Sequence, residues 1–132
     1  MKGLKVVLWI NAVVFMLGFL GLFLTWPIIS GIFAYFNIDI SEFHGPLKYG
    51  FRIALFGYGL IGIFFLMLAR DPFKYGAMLS LGGYGLIACA LFCLAWGYYY
   101  NTSWWYWIID ALYGFIFGGL ILYFKGKAQE AG

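Results

Sequence analysis

Long apolar stretches alternate with short polar breaks along this chain, and the breaks define its elements. Nearly uninterrupted apolar runs extend from Val6 to Trp26, Leu47 to Ala69, Phe73 to Gly97 and Trp104 to Phe124. Each matches or exceeds the ~20 residues a helix needs to cross about 30 Å of hydrocarbon. Four transmembrane helices are therefore predicted, over about 6–26, 47–69, 73–97 and 104–124, as a single all-α integral membrane four-helix bundle.

The breaks carry their own signals. Pro27 is expected to stop the first helix, because proline removes a ladder donor. From Ile28 to Gly45, Ile29, Phe33, Phe36 and Ile40 recur at helical spacing beside Asn37, Asp39 and Glu42. That pattern predicts an interfacial segment, a short helix or lid, between helices 1 and 2. Gly45-Pro46 opens the second helix. In Arg70-Asp71-Pro72-Phe73-Lys74, Asp71 is placed to cap the third helix and Pro72 to occupy its first position. Asn101-Thr102-Ser103 joins the third helix to the fourth and spells a glycosylation sequon in a loop too short to favour modification. Lys2 and Lys5 before the first run resemble a signal start, but the run far exceeds the ~7–15 apolar residues of a signal core, so it is read as an uncleaved helix.

Composition sharpens this picture. The chain is 65% apolar and only 10% charged, against roughly 45–50% and 25% in soluble domains. Lipid is the expected solvent, with no room for a soluble catalytic domain. The net charge of +3 comes from residues at the ends of apolar runs, where they set topology and signal no nucleic acid. Lys2, Lys5, Arg70, Lys74, Lys125 and Lys127 fall on one side, and Lys48 and Arg52 on the other. Both termini are therefore expected in the cytoplasm, with the protein multi-pass in the cytoplasmic (inner) membrane. Tyr98, Tyr99, Tyr100, Trp104, Trp105, Tyr106 and Trp107 would form an outer aromatic belt.

Charges inside apolar runs mark the candidate chemistry. Arg52 lies six residues after Pro46 and Asp110 six after Trp104, so each sits roughly 9 Å along its helix from the outer side. Intramembrane charges pair or serve function, and three readings are open: an ion pair that fixes helix register, a ligand pocket walled by Tyr58 and Tyr113, or Arg52 reaching outward to phosphate while Asp110 bonds locally. Small residues at helical spacing, Gly59 and Gly62, then Gly85, Cys89 and Cys93, then Gly114 and Gly118, predict helix packing. Gly57, Gly59 and Gly62 also spell G-x-G-x-x-G, but without the strand a dinucleotide site requires. Pro46–Ile61 and Pro72–Ile87 share Lys-Tyr-Gly and Gly-Tyr-Gly-Leu-Ile at matching positions. His44 with Asp39 and Glu42 is irregularly spaced for a metal, and no catalytic triad, haem pair or phosphate loop is present. No catalytic residue, metal or resident cofactor is predicted.

Tyr49-Gly-Phe-Arg52, Ala69-Arg-Asp-Pro72 and Asp110 resemble the DoxX-like group of small four-helix bacterial membrane proteins. That resemblance, to a group of accessory proteins some of which are associated with quinone-linked oxidoreductases, implies a partner complex or a quinone and supplies no catalytic residue. The expectation is a non-catalytic accessory or assembly subunit whose partners are lipid and other membrane subunits or further copies. The alternative is a stand-alone bundle that binds a quinone, lipid or other amphiphile near Arg52 and Asp110.

Overall fold

A computed structural model describes residues 2–101 and 104–131. Thr102, Ser103 and the side chains of Trp104, Trp105 and Tyr106, which carry part of the expected sequon and belt, lie outside the described residues. Among the described residues the chain is all α: α1 (Lys2–Leu22), α2 (Trp26–Tyr35), α3 (Gly45–Arg70), α4 (Met78–Tyr99) and α5 (Trp104–Ala131). Helices α1, α3, α4 and α5 are each long and apolar enough to cross a membrane.

Pro27 starts a helix where it was expected to stop one. The first helix ends at Leu22, and α2 begins at Trp26 after an extended Thr25, with proline in its first turn. There the missing N–H costs no intrahelical bond. The third membrane-length helix also begins later than expected, at Met78 with Ala77 as its cap. Residues 72–77 form turns instead, with Gly76 in a left-handed conformation (φ 59°) that interrupts helical continuity.

The chain divides into two compact units. One comprises residues 12–64: the second half of α1, α2 and most of α3. Here α1 and α3 meet through glycines. A side chain at Gly18 would meet the Leu55 carbonyl at 2.7 Å, and one at Gly62 would meet Met16 at 2.5 Å. Trp26 and Phe33 of the α2 helix pack edge-on against Phe51 of α3, with ring centroids 5.6 Å apart in both pairs. Lys48 lies over the Trp26 ring, 5.2 Å from its centroid. After α2, Asp39 accepts hydrogen bonds from the Ser41 hydroxyl (2.5 Å) and backbone N–H (2.9 Å). These bonds hold its carboxyl below the ordinary aspartate value.

The other unit comprises residues 1–11 and 65–132 and is built on the α4–α5 contact. Leu4, Leu8, Phe65, Leu68, Leu79 and Ile121 are fully or almost fully buried. Gly114 lies where an added Cβ would meet the Leu86 carbonyl at 2.5 Å, and Gly118 where it would meet the Gly83 carbonyl at 2.7 Å. Backbones approach this closely only where side chains are absent, the usual device between apolar helices. Asn11 is completely buried and bonded at both ends of its amide: the nitrogen donates to the Val7 carbonyl (2.8 Å), and the side-chain oxygen accepts from the Tyr113 hydroxyl (2.8 Å).

Candidate functional site

Small residues on α4 and α5 shape the site. Gly114 and Gly118 hold the two helices close, and toward the C-terminal end of α4 Gly97 receives the Trp107 indole against its backbone. Beside that contact a groove of about 290 Å³ opens, lined by Phe92, Cys93, Trp96 and Gly97 of α4, the adjoining Tyr100, and Trp107 and Asp110 of α5. Its walls are almost wholly apolar. Phe92 and Trp96 pack at 5.9 Å and Trp96 stacks on Tyr100 at 5.4 Å, so one wall is a continuous aromatic array.

Among the described residues, Asp110 is the one charged side chain lining this groove. As a whole residue it is exposed, and among the described residues of its unit nothing hydrogen-bonds to it or forms an ion pair with it. A carboxylate in a membrane-length apolar helix carries an insertion penalty unless a partner offsets it. The groove is therefore electrostatically incomplete within its own unit.

Arg52 belongs to the other unit and finds partners there. Its Nη1 donates to the carbonyls of Gly21 (3.0 Å) and Leu22 (3.1 Å). These are the last residues of α1, whose terminal carbonyls have no intrahelical donor and sit at the negative end of the helix dipole. A guanidinium suits both needs, so Arg52 ties α3 to the end of α1. A smaller apolar cleft of about 130 Å³ lies nearby, between Gly21, Ile29, Ile32, Phe33, Phe51 and Leu55. It offers no polar side chain for recognition.

The remaining predicted residues divide by environment. Tyr58 stacks against Phe15 of α1 at 6.0 Å, and Tyr113 bonds to Asn11. Gly59 packs against the Phe19 ring, and Gly62 against Met16 and the Ala12 carbonyl. Gly85 has nothing within 4 Å of its Cβ position among the described residues; Cys89 is exposed, and Cys93 reaches the groove. Both cysteines are free thiols. Among the described residues, no three His, Cys, Asp or Glu side chains gather closely enough to hold a metal ion.

Sequence reasoning missed three features. Trp96 and Gly97 as groove residues followed only from the rotation of α4. Gly83 rather than Gly85 faces α5, although the Gly82-Gly83 pair marked the alternative face. Asn11, polar within an apolar run, was legible as a residue that could bond across helices, but its partner Tyr113, 102 positions away, left no local signal. Comparisons with protein-family models, curated proteins and solved structures found no match to this chain.

Proposed function

We propose that this chain is a non-catalytic integral protein of the cytoplasmic (inner) membrane, with both termini cytoplasmic, that serves as an accessory or assembly subunit of a larger membrane complex. The observation that carries the proposal is a set of glycines facing outward on the long apolar helices. Gly50 and Gly57 on α3, Gly85 on α4 and Gly119 on α5 have nothing within 4 Å of their Cβ positions among the described residues. They interrupt a surface of large apolar side chains, including Ile53, Leu81 and Ile116, each more than half exposed. Small residues on apolar surfaces let a second helix approach closely, in a solvent where packing drives association. The motifs resembling the DoxX-like group fit the same role, and α2 fits an interfacial segment. Native mass spectrometry on the untagged protein, extracted gently from its own membrane, tests the proposal. Other polypeptides, or further copies, are expected at fixed stoichiometry, and a lone chain would overturn it.

A second reading, favoured by the groove at Asp110, is a stand-alone bundle that binds a quinone, lipid or other amphiphile in that groove. A groove of about 290 Å³ is near the lower end of the ~300–1,000 Å³ typical of small-molecule sites. In the same spectrum, a retained small amphiphile on a lone chain would make this the primary reading.

A further inference from the structure

We infer that the α4–α5 groove is a binding site for an amphiphilic organic cation, an alkylammonium group with an apolar remainder and no anionic substituent. The inference rests on the second reading above and names the ligand class for that site. Among the described residues lining the groove, Asp110 alone can carry a formal charge, and that charge is negative. The basic residues elsewhere on α5 are remote: Lys125 lies fifteen residues further along the helix, roughly 22 Å at the helical rise, where its ammonium donates to the Ser80 hydroxyl. Lys74, outside the long helices, sits over the Tyr75 ring at 5.7 Å. Neither neutralises the carboxylate.

Aromatic faces complete the recognition. Phe92, Trp96, Tyr100 and Trp107 line the groove that holds Asp110. Ring faces carry negative quadrupole density that attracts a cation, most strongly at tryptophan, and the attraction grows when the cation leaves water. A carboxylate with an aromatic wall therefore favours a bulky, weakly hydrated ammonium over a compact inorganic ion. The same chemistry argues against the other amphiphiles. A quinone's carbonyl oxygens are acceptors, as the carboxylate oxygens are, so a quinone offers Asp110 no complementary charge. A phospholipid headgroup brings a phosphate that Asp110 would repel.

The test uses the purified full chain in uncharged maltoside micelles, titrated calorimetrically with hexyltrimethylammonium and with its uncharged carbon isostere. Protein-free micelles serve as the blank. The expected result is saturable binding of the cation, no binding of the isostere above the blank, and affinity lowered at least about tenfold by Asp110→Asn. Trp96→Leu, at an already exposed ring, is expected to weaken binding by a smaller factor while leaving the far-ultraviolet circular dichroism unchanged. Equal binding of cation and isostere, with both weakened by Trp96→Leu, would overturn the cation inference and keep the amphiphile reading. Absence of binding by either would overturn both. Unchanged affinity in a folded Asp110→Asn would also overturn the inference; if that variant does not fold, the comparison of cation with isostere on the unaltered protein decides.

Discussion

Among the described residues Asn11 is the buried polar one, and its environment shows how a single amide is made tolerable in an apolar interior. Each end of its side chain has a partner: the amide donates to Val7 one turn back, and the oxygen accepts from Tyr113. Losing either bond removes an interaction that the apolar surroundings cannot replace with water. Asn11→Ala is expected to destabilise the protein by about 1–3 kcal/mol. A double-mutant cycle with Tyr113→Phe should give a coupling near 0.6 kcal/mol and below ~2 kcal/mol, the range measured between membrane helices. Reversible unfolding in mixed micelles reads both values, and strictly additive single effects would show that the bond contributes nothing. Arg52 follows the same logic with backbone acceptors. Its guanidinium was legible as a charge needing a partner, but carbonyls at a helix end leave no trace in a sequence, so Gly21 and Leu22 could not be named in advance.

At the scale of elements, the two similar segments are the most informative comparison. Pro46–Ile61 runs as continuous helix, whereas the matching Pro72–Ile87 spends residues 72–77 in turns, with Gly76 left-handed where Gly50 is helical. The glycines also exchange roles. In α3, Gly59 packs and Gly57 is open; in α4, the corresponding Gly85 is open and Gly83 packs. The Gly-Tyr-Gly-Leu-Ile sequence around these glycines is the same, and the rotation imposed by the facing helix decides. Adjacent glycines on α5 turn this into a prediction. A Cβ at Gly118 meets the Gly83 carbonyl at 2.7 Å, while one at Gly119 meets nothing within 4 Å among the described residues. Gly118→Ala should therefore destabilise the fold by about 1–3 kcal/mol, since backbone cannot yield cheaply. Gly119→Ala should be neutral or stabilise by up to ~1 kcal/mol through helix propensity. Thermal unfolding of the two variants checks the contrast, and equal effects would contradict the assigned rotation of α5.

For the whole molecule, the charge asymmetry predicts a topology that fusions can read. Alkaline phosphatase fused after Glu130 is expected to be inactive and a fluorescent protein there to be bright, whereas phosphatase inserted after Asn101 should be active. The reverse pattern would invert the proposed orientation. What the sequence by itself determined is the class: all α, with four helices of membrane length. Those features depend on unbroken apolar runs, and run length is set by the solvent to be crossed rather than by any partner in the fold. Helix ends were less legible, because proline at 27 both ends and begins helices, and only the chain on either side selects which. The tertiary structure alone decided that Arg52 closes the end of α1, that Asn11 meets Tyr113, and that Asp110 lies in an aromatic groove with Cys93 and Trp96. Each of these depends on helix rotation and on backbone groups far away in the chain, which helical periodicity shared by several faces leaves undetermined.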